Sequence, residues 1–178
     1  MPVTTTRYLD VAQRADELGV DLPPGPAFLP DNFEAAAADG TLHFHSEVTT
    51  LRKILAAGGI NATGLGAGSH SHAFIHNRSH DWAMPVLFIG AELLKQNPDL
   101  ISQALSLVQQ YVIDRFKGIT GGRAIKAELV VEDRKAGQYK RLTYEGPPEG
   151  LGELTKALKA LGRRRLVRCT TSRLLTTR

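Results

Sequence analysis

Cysteine is nearly absent from this sequence: Cys169 is the single thiol among 178 residues. One cysteine excludes an internal disulfide, a multi-cysteine zinc site and an iron–sulfur cluster built within one chain. This usage is typical of proteins kept in a reducing compartment, and we expect a cytoplasmic protein.

Long hydrophobic runs are also missing. The longest near-apolar stretch, "WAMPVLFIGAELL" at residues 82–94, is shorter than the roughly 20 residues of a membrane-spanning helix. The first residues lack the apolar segment of a signal peptide. We therefore expect neither a membrane span nor a signal peptide. With 42% hydrophobic and 22% charged residues, the composition is that of an ordinary folded domain.

The motifs of several enzyme classes do not occur. There is no H-E-x-x-H zinc motif, no G-x-x-x-x-G-K-[ST] phosphate loop and no G-x-S-x-G nucleophile elbow. No histidine is followed two positions later by serine or threonine, as the H-x-[ST] motifs of two-histidine phosphoesterases require. These absences favour a protein without catalytic activity. The possibility that it is an enzyme of another class stays open.

Histidines, by contrast, are concentrated in one short segment. The six of them are His43, His45, His70, His72, His76 and His80. The spacing of the first two places both on one face of a strand, and the spacing of the last three suits one face of a helix. Neutral imidazoles bind zinc and other divalent transition metals, so these six residues form a candidate metal site, with Glu47 or Asp81 as a carboxylate ligand. The competing interpretation is a polar, partner-facing surface without a cofactor, which the glycine-rich stretch "GLGAGS" before His70 favours.

Charge is divided unevenly along the chain. Residues 1–118 contain 8 basic and 12 acidic residues, whereas residues 119–178 contain 14 and 6. Such asymmetry predicts a surface for an anionic partner or for another copy of the chain. The candidate contacts are the arginines of the basic tail, namely Arg163, Arg164, Arg165 and Arg168.

Local patterns predict an α+β fold. Alternating apolar residues in 125–131 and the return segment 138–146 indicate a β-hairpin. Helical spacing predicts helices at about 6–18, from Ser46 to Gly58, from near Pro85, at about 97–117 and at about 150–161. We expect a small, mainly antiparallel sheet around the 125–145 hairpin, packed by these amphipathic helices. The N-terminal helix and a proline-rich strap ("VDLPPGPAFLP") would wrap this core.

Three regions follow from this pattern. They are an N-terminal helix and strap (1–40), a helical region with the histidine-rich glycine loop (41–118), and a β-hairpin–helix unit with the basic tail (119–178). We expect the three to fold together as one domain.

Residues 83–161 follow an order of elements seen in a known group of proteins. An apolar helical stretch leads to the hairpin, then to "YEGP" and the closing helix "EGLGELTKALKAL". This order resembles the small effector-associated accessory domains of bacterial conflict systems, which accompany proteases, nucleases or nucleotide-binding switches. The resemblance implies an adaptor role without an active site, and it supplies no catalytic residues.

Three functional hypotheses result. The first is a non-catalytic interaction, adaptor or self-assembling module in a bacterial, antiphage or conflict-related assembly, with head-to-tail oligomers as a corollary. The second is a metal-binding protein or metal-dependent hydrolase that uses the histidines of residues 43–80. The third is nucleic-acid binding through the basic C-terminal third, which predicts a steep loss of affinity with salt.

Overall fold

The computed structural model describes residues 3–66, 73–75, 82–117, 124–133 and 138–163. Its strands are β1 (Thr4–Tyr8), β2 (Ala27–Phe28), β3 (His43–His45), β4 (Thr63–Gly64), β5 (Ala73–Ile75), β6 (Trp82–Ala83), β7 (Leu87–Ile89), β8 (Ile125–Glu132) and β9 (Tyr139–Gly146). Its helices are α1 (Val11–Leu18), α2 (Glu47–Ala57), α3 (Ala91–Gln96), α4 (Pro98–Phe116) and α5 (Gly152–Arg163), with short 3₁₀ turns at Asp39–Thr41 and Pro148–Leu151. The predicted α+β class is confirmed.

A mixed sheet of seven described strands forms the centre of the protein. Its order is β1-β9-β8-β7-β2-β4, and β6 also pairs with β8. The β8–β9 hairpin and the β1–β9 and β2–β7 pairs are antiparallel, whereas β7 and β6 lie parallel to β8 and β2 lies parallel to β4. The predicted hairpin is therefore present, within a sheet that is larger and more mixed than the sequence indicated. A separate parallel pair joins β3 to β5.

Apolar side chains cover both faces of this sheet. On one face, Leu129 and Val131 of β8 pack with α2, α4 and α5. On the other face, Val130 packs with α1 and with the residues of the proline-rich segment. Because neighbouring residues of a strand point to opposite faces, a strand covered on both sides is apolar along most of its length.

The N-terminal prediction was wrong at its start. Residues 4–8 form strand β1, and the helix begins only after Asp10, whose carboxylate accepts a hydrogen bond from the N–H of Gln13 at 3.0 Å. Consecutive threonines favour a strand because their branched Cβ restricts χ1 in a helix. The predicted end is confirmed, since Gly19 adopts a left-handed conformation with φ of 69°.

The predicted helix near Pro85 was also wrong. Leu87–Ile89 form β7, a buried strand between β8 and β2, and α3 starts only at Ala91. Pro85 lies between β6 and β7, where its missing N–H breaks no strand ladder. Three buried residues are too few for periodicity to separate a strand from a helix.

The remaining helices agree closely with their patterns. α2 begins after Ser46, and α4 begins at Pro98 directly after Asn97. α5 continues to Arg163, past Gly162, which had been predicted to lie just beyond its end. Among the described residues, no helix combines the length and the apolar character needed to cross a membrane.

The segment that follows the proline-rich strap is fixed to α1 by one side chain. Arg14 donates from Nε to the carbonyl of Phe33 at 3.1 Å and from its guanidinium to the carbonyl of Ala36. These bonds hold the segment that follows the strap, in which Phe33 and Ala36 lie between Asn32 and strand β3. Arg14 therefore helps to position the histidines of β3 over the sheet.

Candidate functional sites

Two of the six histidines belong to the described structure. His43 and His45 lie in β3 on the same side, as their spacing predicted, and both line one cleft. His45 is only 6% exposed, whereas His43 is half-buried. The other predicted ligands, His70, His72, His76 and His80, lie outside the described residues.

The cleft lies between β3 and the central sheet and has a volume of about 350 Å³. Ionisable groups line it from two sides: the strap and β3 on one, and β8 on the other. Its lining comprises Asp31, His43, His45, Lys126 and Glu128, with Ile75, Ala83, Met84 and Val86 as the apolar part. The structure thus adds an aspartate, a lysine and a glutamate that the sequence had not linked to the histidines.

Main-chain hydrogen bonds hold the histidine wall in place. The N–H of Asp31 donates to the carbonyl of His43 at 2.9 Å, and the N–H of His43 donates to Oδ1 of Asn32 at 3.0 Å. Nδ2 of Asn32 in turn donates to the carbonyl of Thr41 at 2.9 Å. Asp31 is therefore fixed beside His43 although twelve positions separate them in the sequence.

The hydrogen bond to His45 defines its tautomer. Nδ1 of His45 accepts from the N–H of Glu47 at 3.2 Å, so the neutral imidazole carries its proton on Nε2. A histidine that ligates a metal through Nε2 instead donates a proton from Nδ1. In the part of the chain that the structure describes, no group of three or more histidine, cysteine or acidic side chains could hold a metal.

Asp31 is the unpaired charge of the cleft. Asp31 contributes to the wall of the cleft but is exposed to solvent. Desolvation by the surrounding protein raises its pKa, and the charges of His45 and His43 oppose this shift. None of the described residues donates a hydrogen bond to its carboxylate. A carboxylate has about four acceptor positions, so Asp31 can receive a donor from a bound molecule.

Glu128, on the opposite wall, is already neutralised. Its carboxylate lies 2.8 Å from Nζ of Lys126 and 3.8 Å from Nε of Arg141. The guanidinium of Arg141 also pairs with Glu34 and lies 4.3 Å from the ring centre of Tyr8. Burial raises the pKa of Tyr8 to about 12, an effect that Glu34 reinforces and Arg141 opposes.

The predicted basic contact surface lies almost wholly beyond the described part of the chain. Arg164, Arg165 and Arg168 are outside it, and Arg163 ends α5 without a described side chain. Of the five basic side chains described after residue 123, four form salt bridges with carboxylates: Lys126, Lys140, Arg141 and Lys156. Hence the described C-terminal third presents few basic groups that are not already paired with acids.

A second candidate site, which sequence reasoning missed, is the outer edge of the sheet. β1 is the terminal strand, and the side chains of Thr4, Thr5, Thr6 and Arg7 are exposed. No described strand pairs with its outer edge. The strand at the opposite end, β4, has only two residues. The run of three threonines favours a strand. However, β1 has no buried face, so its sequence lacks the apolar–polar alternation that marks a strand.

No protein-family model matches the chain, and no curated protein or solved structure matches it significantly. The geometry of these two sites is therefore the basis for assigning a function.

Proposed function

We propose that this protein is a non-catalytic, self-pairing interaction module, in which β1 adds to β1 of a second copy. The observation that carries the proposal is the exposure of β1 along its outer edge. In an antiparallel ladder, alternate residues direct their N–H and C=O groups away from the existing partner. Such an edge is a template for a further strand.

The composition of β1 also supports strand addition. Proteins protect exposed edges with proline, inward-pointing charges, bulges or very short strands. β1 has five residues, no proline and one charge, that of Arg7. Threonine has a high preference for strands because its branched side chain fits a pleated surface.

The strand is compatible with its own copy. Antiparallel pairing centred on Thr6 places Thr4 opposite Tyr8 and Thr5 opposite Arg7 of the second copy. The two Arg7 side chains then lie diagonally rather than face to face, at roughly 7–8 Å. A two-fold interface of this kind closes after two copies. It differs from the head-to-tail association predicted from the charge asymmetry, which would produce an open series.

Charge substitutions at Thr5 test this register. Thr5→Lys places a positive charge opposite Arg7 of the second copy, and Thr5→Glu places a negative one there. Each cross-strand pair changes the free energy of association by about 0.2–1 kcal/mol, and the interface contains two such pairs. We expect Thr5→Lys to weaken dimerisation by about 2- to 30-fold and Thr5→Glu to strengthen it to a similar degree.

Sedimentation equilibrium over a range of concentrations measures the dimer constant. Lysine and glutamate at Thr50, which is exposed on α2 away from the edge, are the matched controls and should leave that constant unchanged. Salt should restore dimerisation of Thr5→Lys because it screens the repulsion. A strictly monomeric protein by light scattering at all salt concentrations would overturn the proposal, as would equal effects of lysine and glutamate at Thr5.

A further inference from the structure

The cleft beside His43 and His45 has a charge pattern that self-pairing does not use. With neutral imidazoles, Lys126 and Glu128 cancel each other at 2.8 Å. Among the described residues of the lining, the charge that remains is the single negative charge of Asp31. A ligand that completes this site therefore brings a positive charge and hydrogen-bond donors.

The arrangement disfavours anions. Lys126 is the one lysine or arginine among the described lining residues, and its ammonium group already faces Glu128. A bound phosphate or carboxylate would have to displace Glu128 and would meet the charge of Asp31. The described part of the cleft therefore lacks the unpaired lysine or arginine side chains that anion sites present.

The arrangement also disfavours a transition metal. Nδ1 of His45 is occupied by the N–H of Glu47, and the neutral ring holds its proton on Nε2. Among the described residues of the histidine wall, His43 and Asp31 are then the ligands left for a metal, fewer than the three protein ligands of a catalytic zinc site. An organic cation does not require free imidazole nitrogens, because it can use the carboxylate oxygens of Asp31 as acceptors.

The rest of the lining indicates what the cation is attached to. Ile75, Met84 and Val86 provide apolar surface next to the charged groups. A volume of about 350 Å³ lies at the small end of ligand clefts, which span roughly 300–1,000 Å³. Such a site accepts a short alkyl chain with one polar end.

We propose that the cleft binds the ammonium group of a small alkylamine, with the carboxylate of Asp31 as its counter-charge. The alkyl chain lies against Ile75, Met84 and Val86. Lowering the pH weakens binding, because protonation of Asp31 removes the counter-charge. The imidazoles of His43 and His45 also face Asp31 from β3. Lys126 and Glu128, the other charged groups of the lining, remain paired.

Titration with n-butylammonium chloride, followed by the amide NMR signals of Asp31 and His43, tests the proposal. We expect saturable binding with a Kd on the order of a millimolar, as a ligand of this size allows. Butyrate and n-butanol, which have the same chain without the positive charge, should bind at least about two- to fivefold more weakly, because an ion pair with an exposed carboxylate contributes up to about 1 kcal/mol.

Asp31→Asn keeps the shape of the side chain and removes its charge. It should weaken n-butylammonium binding about two- to fivefold, whereas Asp21→Asn, an exposed carboxylate of the strap outside the cleft, should leave it unchanged. Dimerisation should be the same in both variants, so the outcome of this test does not depend on whether β1 pairs with a second copy. Absence of saturable binding, or equal binding by Asp31→Asn, overturns the proposal. If tag-free protein contained stoichiometric zinc and Asp31→Asn lost it, the cleft would be a metal site and not an alkylamine site.

Discussion

Replacing Gly150 by alanine should destabilise the protein through one tyrosine. The hydroxyl of Tyr144 donates to the carbonyl of Pro147 at 2.7 Å, and the ring is 1% exposed. A Cβ at Gly150 would lie 2.0 Å from the Tyr144 hydroxyl oxygen and 2.9 Å from Cζ. Neither distance is tolerable, so the buried ring must move and its hydrogen bond to Pro147 must break.

The size of the effect follows from these two events. Overpacking in a core costs about 1–3 kcal/mol, and the lost hydrogen bond adds about 1 kcal/mol. We therefore expect Gly150→Ala to lower the free energy of unfolding by about 2–4 kcal/mol. Tyr144→Phe alone should cost only about 1 kcal/mol, because the carbonyl of Pro147 keeps a second donor, the N–H of Gly150, at 3.0 Å.

A double-mutant cycle measured by urea denaturation isolates the contact. Tyr144→Phe removes the oxygen that the new methyl group would strike, so the double variant should be more stable than the sum of the single effects by at least about 1 kcal/mol. Gly40→Ala, where a Cβ would meet nothing within 4 Å, is the control and should change stability little. Additive effects of Gly150→Ala and Tyr144→Phe would refute the reasoning.

Two further predictions concern the N-terminal part of the chain. The pKa of Tyr8 is about 12 in the folded protein against 10.0 ordinarily, so the folded state retains this proton to a higher pH than the unfolded state does. The free energy of unfolding should therefore fall as the pH rises from 10 to about 12. Tyr8→Phe should make this fall smaller when urea denaturation is measured at a series of pH values. Arg14→Lys should speed hydrogen exchange at the amides of Ala35 and Ala36 and cost about 1–2 kcal/mol. Arg14 bonds two carbonyls with two different nitrogens of its planar guanidinium, and a single ammonium nitrogen does not reproduce that geometry. Arg52→Lys, where Nε serves the single carbonyl of Ala62, should have little effect; equal exchange in both variants would contradict this role of Arg14.

Prediction from sequence succeeded where one face of an element is buried. The alternation of Ile125, Ala127 and Leu129 identified β8, and the spacing from Ile101 to Val112 identified α4. Prediction failed where a segment has no difference between a buried and an exposed face. The residues of β1 are exposed on both faces and Leu87–Ile89 are buried on both, so neither segment has a periodic pattern.

The candidate cleft was recovered only in part, for a different reason. His43 and His45 were placed correctly on one side of a short strand because their separation of two residues determines it. Asp31, Lys126 and Glu128 reach them through the turn at Asn32 and through the packing of β3 over the sheet. Tertiary proximity of this kind leaves no trace in the spacing of a single sequence.

The pairing of β1 with β9 has a consequence for how the chain folds during synthesis. Thr4 pairs with Thr143 and Tyr8 with Tyr139, so β1 leaves the ribosome long before the strand that it pairs with has been made. Pairings between such distant residues form slowly. Until β9 has been made, both edges of β1 stay open to neighbouring nascent chains, and among the described strands β1 waits longest for its partner.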